Sequence, residues 1–495
     1  MRAADPRYAN VIAEPVDQAV SVTTAVAEFC RAEQPAILES SLPGRPYSRF
    51  TILACDPARV MEITREHSQW AGRTLRAYMQ DAPPVASFAG AINPGVGWIG
   101  YFAYEAGLAI EPTLAALYAT DPRSVEPLAR FGLYDAAAVY DHACDQWYVC
   151  AVEWPRGSPI AAERATVKSR IAALRRRLLN AKESRRITAQ GTPTATDFLR
   201  NMSYASYLEK VARAKRYIEG GDIYQVNLSQ RFTVRTEQSP ADIYTRLRRI
   251  SPSSHAAFLQ WTPLAGASTP MAVISCSPEL FLDLRDGRVV TRPIKGTRPR
   301  IGDPVVDSAY RRELIESEKD RAELNMIVDL LRNDLGRVCK YGSVRVINAG
   351  EIEEHPTVYH RVATIEGEVD ARYGWLELLE ATFPGGSITG VPKIRAMQII
   401  DELEPTPRGA YCGTIGHIGL DGSMTLNVAI RTMVQTGNTV HIHAGGAIVA
   451  DSRAEDEHDE VMAKASAMLQ AVGCEKTRQK VETSKRQHLE TLKLA

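Results

Sequence analysis

Between about residues 203 and 472, short strand-like runs follow one another with few helices between them. Nothing else in the chain constrains its fold as strongly. The runs are IYQVNLSQRFTV, MAVISCSPELFLDL and RVVTRPIKG, then GTIGHIG, SMTLNVAIRTMV and TVHIHAGGAIV. Branched and aromatic side chains fit a pleated, half-buried surface, and Gly, Pro and Asp between the runs break them. Helices are expected at four places. SYASYLEKVARAKRYIEGG is closed by Gly220 and Gly221. Residues 309–334 carry an apolar face at Leu314, Leu324, Ile327, Val328 and Leu331. A third helix begins at Pro392, a favourable first position, and a last one covers 455–472.

The first part of the chain reads differently. Residues 35–55, 96–110 and 130–153 alternate apolar and small residues with turn breaks, so a strand-rich region is expected over 1–155. A basic helix follows over 160–181, then a polar stretch over 182–199 with Gly191 and Pro193, an exposed linker. The organisation read from this is a strand-rich region to 155, helix and linker over 156–202, a core over 203–474, and a charged peripheral tail over 475–495. No internal repeat is present. With 45% hydrophobic and 24% charged residues, the pattern suits a soluble α/β or α+β protein.

Charge narrows the function classes. Lys+Arg and Asp+Glu both number 59, which argues against a general nucleic-acid binder, since that needs a basic excess. No apolar run is long enough to span a membrane, and MRAADPRYANVIAEP lacks the apolar core of a secretory signal. The eight cysteines show no paired zinc-ligand spacing and read as reduced thiols of a cytoplasmic protein.

Three features carry chemistry. Asp320 and Glu323 stand three apart on the predicted long helix and share a face, as do Glu457 and Glu460 on the last helix, with Lys464 one turn on. Oxygen-rich pairs suit Mg²⁺, which takes few carboxylates and keeps waters or substrate oxygens. A solvated helix face has the same spacing, and spacing alone does not decide. PGGSITGVPKIRAM and Gly445-Gly446 place glycines where backbone N–H groups can approach an anion, with Ser387 and Thr389 adding hydroxyls; a tight turn without a ligand fits as well. Neither matches a P-loop or dinucleotide fingerprint. Lys295, in TRPIKGTRPR, lies among strand formers. Facing inward, it would have a depressed pKa and a nucleophilic amine; facing outward, it would be an ordinary surface lysine.

Together these segments resemble the chorismate-utilising family, which includes the synthase subunits of anthranilate synthase and aminodeoxychorismate synthase and the isochorismate and salicylate synthases. The carrying residues are GDIYQVNLSQ, CSPELFL, RPIKGTRPR, EKDRAELNMIVDLLRND, TVYHRVATIEG, PGGSITGVPKIRAM, AYCGTIGHI, AIRT and AGGAIVADS, in one order over nearly all of 203–472. The resemblance implies an α+β fold of two packed sheets with outer helices and an active-site cleft at the sheet edges. It implies Mg²⁺ held chiefly by Glu323 and Glu460, with Asp320 and Glu457 supporting, and the ring carboxylate of chorismate on the metal. Tyr411 and Arg431 match positions that grip the enolpyruvyl carboxylate. Gly445, Gly446, Ser387 and Thr389 would complete the cradles, with Lys464 nearby. His360 matches a position beside the leaving C4 oxygen, as acid or as orienting group. LESSLPGRPYSRF resembles the family's N-terminal segment where a structural or effector tryptophan sits, with Glu39, Ser40, Tyr47 and Ser48 as its residues.

Two positions separate the branches. Water-adding members resemble each other in a lysine base where this chain has Gln225, which cannot deprotonate water. Anthranilate synthases resemble PIAGT where this chain reads PIKGT, the aminodeoxychorismate synthase pattern, with Lys295 as the nucleophile at ring C2. The resemblance therefore implies a transferase that aminates chorismate at C4 on the route to p-aminobenzoate and folate. Ammonia would come from a separate glutaminase subunit, because no cysteine here sits in a Gly-x-Cys-x-Gly turn. An anthranilate synthase subunit, an enzyme of a secondary pathway with the same first reaction, and a non-catalytic sensor of chorismate or tryptophan are the alternatives.

Overall fold

Most of the alternating runs form strands, but 96–110 gives a strand only over Gly97–Phe102 and then the helix Glu105–Ile110, and several runs are split in two. MAVISCSPELFLDL becomes Met271–Ser277 and Leu280–Arg285, divided at Pro278, and SMTLNVAIRTMV becomes Met424–Asn427 and Thr432–Thr436. The computed structural model describes residues 8–42, 47–64, 71–80, 82–85, 95–115, 123, 127–181, 197–262 and 270–474. The tail after 474 and nearly all of the expected linker lie outside these residues. The chain forms two compact units, each drawn from three stretches: Met1–Thr194, Thr233–Pro278 and Arg408–Ile442 in the first, Ala195–Phe232, Glu279–Pro407 and His443–Ala495 in the second. The class is α+β with antiparallel sheets, as the sequence implied. Among the described residues no helix is long and apolar enough to cross a membrane.

In the first unit, hydrogen-bonded neighbours run from Asn10–Val16 through Gln146–Glu153, Ala136–Asp141, Phe50–Ala54, Ala36–Glu39, His255–Trp261 and Met271–Ser277 to Thr432–Thr436. A second set runs from Met424–Asn427 through Thr414–Gly419, Gly97–Phe102 and Ala129–Tyr134 to Arg59–Ile63. The basic helix expected over 160–181 is two helices, Pro159–Glu163 and Val167–Asn180. Thr166 caps the second by accepting from the Ser169 N–H. The break lets Arg164 and Arg170 both reach the buried Asp135 carboxylate, each at 2.9 Å.

In the second unit, Tyr204–Glu219 ends as its sequence implies. Gly221 takes a left-handed φ of +80°, and the Asp222 N–H bonds back to the Tyr217 carbonyl at 2.9 Å. A sheet follows the order Ile294–Pro299, Val358–Glu368, Arg288–Arg292, Leu280–Arg285, and Arg345–Glu354 also pairs with Val358–Glu368. The single long helix expected over 309–334 is corrected to two, Pro304–Glu316 and Glu318–Gly336. Ser317 interrupts them and accepts from the Asp320 N–H at 3.1 Å. The Arg361 guanidinium takes the Leu314 carbonyl and, at 2.8 Å, that of Ile315, satisfying the carbonyls freed by the break. Leu324, Ile327, Val328 and Leu331 are buried, as their spacing requires. Pro392 caps Lys393–Leu403 instead of opening it, and the last helix is Ala454–Ala471.

Candidate active site

The PIKGT segment is where the sheet of the second unit departs from regularity. Ile294 pairs with Val362 and Thr297 with His360, so the first strand spends one extra residue between these pairs. Lys295 and Gly296 form this bulge. Bulges re-aim side chains, and this one needs glycine. Gly296 has φ +83°, and a Cβ there would lie 2.9 Å from Asp320 Cγ and from Leu314 Cδ1. Lys295 is half-buried, and among the described residues no hydrogen bond or ion pair ties its amine. Burial, reinforced by the Lys464 charge, holds its pKa below the usual lysine value against the opposing pull of Glu323, Glu279 and Glu460.

Glu279 is the residue that sequence reasoning missed. It stands in CSPELFL, between a proline and an apolar strand, and is 4% exposed. An acid flanked by Pro and Leu-Phe-Leu is an unusual strand start, and that was the available signal. Burial pushes its carboxyl up to about 7, against the Ser387 hydrogen bond, the Lys295 charge, the Ile294 backbone and the Lys464 charge. The Ser387 hydroxyl donates to Glu279 Oε1 at 2.6 Å. An acid whose pKa is raised to about 7 and a lysine whose pKa is lowered are therefore electrostatic neighbours, a pairing suited to proton transfer and nucleophilic attack.

The predicted acids lie on two helices of the same unit. Burial raises the pKa of Glu323, with Lys295 opposing and Asp320 and Glu460 reinforcing. Glu460 is instead held low, chiefly by Lys464, whose amine is 2.6 Å from it. The same amine donates to the Gly445 carbonyl at 3.0 Å. Gly446 passes close to the acids: a Cβ would fall 2.9 Å from Glu457 Oε2 and 3.8 Å from Glu460 Oε1. Glu457 accepts from Ser452 at 2.6 Å through Oε1, while its buried Oε2 has no hydrogen-bond partner. An orphaned carboxylate oxygen is a place for a cation. Asp320 differs, because Arg298 donates to it at 3.0 Å. Among the described residues no three potential ligands close into a metal cage. Mg²⁺ does not need one, since it is bound by one or two carboxylates together with water and substrate oxygens. On these terms the carboxylate chemistry of Glu323 and Glu460 is compatible with such an ion, with the orphaned Glu457 oxygen in support.

Gln225 opens the strand Gln225–Arg235, fully buried, with both amide atoms lacking a hydrogen-bond partner. His360 is buried; its Nδ1 shares a 2.9 Å hydrogen bond with the Thr297 hydroxyl, and the His355 ring packs 4.9 Å away. Thr389 donates its hydroxyl to the Gly385 carbonyl at 3.0 Å, so it shapes the glycine loop from within.

The remaining predicted residues belong to the first unit. Tyr411 is buried. Arg431 sits at φ +49°; among the described residues its guanidinium has no carboxylate partner, and burial lowers its pKa. A guanidinium without an internal anion is suited to an external carboxylate. The N-terminal group is largely self-satisfied. Arg248 grips Glu39 through both of its oxygens, with Tyr244 donating at 2.9 Å. Ser40 donates to the Ser254 carbonyl at 3.2 Å, and Ser48 to that of Leu42 at 3.3 Å. Tyr47 takes a left-handed φ of +62°.

Comparison with known proteins decides the family. The model of the chorismate binding enzymes matches residues 35–470. The chain belongs to this family. Among relatives of the chorismate-binding enzymes, aminodeoxychorismate synthase component 1 of Salmonella typhimurium is 36% identical over 452 residues, covering 88% of this chain and 92% of that protein. Anthranilate synthase component 1 of Aquifex aeolicus is 31% identical, covering 94% and 95%. Among solved structures, anthranilate synthase component I of Streptococcus pneumoniae superposes with a TM-score of 0.70 at 29% identity, over 85% of this chain and 92% of that one. The family resemblance and the fold read from sequence are thus shown. Aminodeoxychorismate and anthranilate synthases are similarly close.

Proposed function

We propose that this chorismate-binding enzyme is the synthase subunit of an aminodeoxychorismate synthase, aminating chorismate at C4. The observation that carries the reading is Lys295, set in a glycine-dependent bulge with a depressed pKa beside the proton-holding Glu279. Its neutral amine adds at ring C2 while the C4 hydroxyl departs. Glu279 gives that hydroxyl its proton, so it leaves as water, and the resulting carboxylate takes the proton shed by the lysine nitrogen. Ammonia then adds at C4 while Glu279 returns that proton to the Lys295 nitrogen, which departs from C2 as the neutral amine, and the new C4 ammonium gives one proton back to the carboxylate. His360 orients or protonates the same oxygen. Gln225 offers no base for water, which favours ammonia as the nucleophile. Mg²⁺, on Glu323 and Glu460 with Glu457 in support, would offset the charge of the ring carboxylate. The Arg431 guanidinium suits the enolpyruvyl carboxylate, with Tyr411 as its companion. Relatives carry the name component 1, which supports a partner subunit, here a glutaminase supplying ammonia in the cytoplasm for folate synthesis. The N-terminal residues Glu39, Ser40, Tyr47 and Ser48 remain the proposed place of a tryptophan or other effector.

Anthranilate synthase is the second reading, favoured by relatives of that name at comparable identity. A product assay separates the two. The chain is incubated with chorismate, Mg²⁺ and ammonium, and half receives aminodeoxychorismate lyase. p-Aminobenzoate in the lyase half alone is the expected result, and Lys295→Ala is expected to abolish it while leaving the circular dichroism spectrum unchanged. Anthranilate in both halves would overturn the proposal.

A further inference from the structure

The glycine loop between Thr382 and Lys393 has a lock at its base that the reaction as proposed does not use. Lys393 follows the loop and opens the helix Lys393–Leu403; Thr382 precedes the loop and ends Trp375–Thr382. The Lys393 amine donates across this base to the Thr382 carbonyl at 2.7 Å. It also donates to Asp334 Oδ2 at 2.6 Å, on the helix Glu318–Gly336. Both partners are mostly inaccessible, the lysine side chain 13% and the aspartate 7% exposed. Two more contacts fix the same corner. Arg337 donates to the Ala381 carbonyl at 3.2 Å, and a Cβ on Gly386 would fall 2.4 Å from Leu330 Cδ2, so the loop lies directly on this helix.

We infer that Lys393 is a positioning residue: its amine clasps the two ends of the glycine loop together and ties them to the helix that carries Glu323. The inference rests on the function proposed above. The loop holds Ser387, and Ser387 holds Glu279. The helix holds Glu323 and, through Asp320, walls the Lys295 bulge. One ammonium group therefore sets the spacing between the loop that orients the acid and the helix that bears the metal-site carboxylate. An exposed surface lysine could not do this, because water would compete for both bonds. A buried pair has little net stabilising value against an apolar pair of equal volume, so stability and positioning can be separated by experiment.

Lys393→Met alone would leave Asp334 buried and unpaired and lower the thermal midpoint. Lys393→Met with Asp334→Leu removes both charges. The expected result is a midpoint close to that of the unaltered chain, with kcat/KM for chorismate under saturating ammonium reduced by about tenfold or more, the size expected for a misplaced catalytic group. Weaker Ser387 contact also frees Glu279 to hold its proton further against the fields of Lys295 and Lys464, so the alkaline limb of the pH profile moves to higher pH. Recovery of turnover and an unshifted limb, together with stability, would overturn the inference. If the apolar pair does not fold, Lys393→Gln with Asp334→Asn is read in the same way. Product identity is measured on the unaltered chain beside these variants. Anthranilate there would refute the amination at C4 without touching the clasp, which is judged by rate and pH profile alone.

Discussion

At the scale of single residues, burial moves the pKa of several groups of the proposed site, Glu279 upward and Lys295 downward. Glu279 makes this testable. In the unfolded chain it loses its proton near 4.5, whereas in the fold it keeps it up to about 7. Between those values the folded chain binds more protons, so this group's stabilising contribution is complete below 4.5 and is lost as pH rises through 7. The gap of about 2.5 pH units corresponds to at most about 3 kcal/mol. Glu279→Gln should therefore flatten the fall in unfolding free energy across that window, and lower kcat/KM roughly 10²–10⁴-fold, as removal of a general acid does. Denaturant melts at pH 4.5 and 7.5 with matched kinetics check both; an unchanged slope would remove Glu279 from the site. Lys295 and the helix carboxylates were legible because their neighbours in sequence form long motifs. Glu279 was not, since its chemistry comes from burial and from Ser387, more than a hundred positions away.

Among elements, the informative disagreements are breaks. The large apolar positions lapse between Ile315 and Leu324, where ESEKDRAE carries only Ala322, but a solvated turn of one long helix reads the same way, so periodicity does not place the stop at Ser317. The stop depends on a serine cap and on Arg361, which arrives from a distant strand. The bulge at Lys295-Gly296 is equally invisible to a period-two pattern, although the glycine hints at it. Gly296→Ala tests its importance. The new Cβ meets Asp320 and Leu314 at a φ that side chains avoid, with a cost on the order of 1–3 kcal/mol. Turnover should fall by more than the loss of folded protein accounts for, because Lys295 is re-aimed. Thermal unfolding and active-site titration on the same sample measure both. Full activity in a well-folded variant would mean that the bulge does not aim the lysine.

Across the whole molecule, each compact unit is assembled from separated stretches of chain. Composition shifts along the sequence, but strand partners are chosen by shape and burial, and no local pattern reports them. Ala36–Glu39 pairs with His255–Trp261, for example, through four residues of register from Ala256↔Glu39 to Leu259↔Ala36. A fragment covering 195–474 should therefore expose the edge of His255–Trp261 and aggregate, as unpaired edges do. Size-exclusion chromatography would show it, and co-expression with 1–194 should restore a discrete species. A monodisperse, folded fragment would contradict the pairing. The same register sets a clock on synthesis. Ala256 follows its partner Glu39 by 217 positions, and at 5–20 residues per second the ribosome needs roughly ten to forty seconds to deliver the second strand. For that interval the nascent chain carries an open apolar edge, long enough for a chaperone to bind it before the partner emerges.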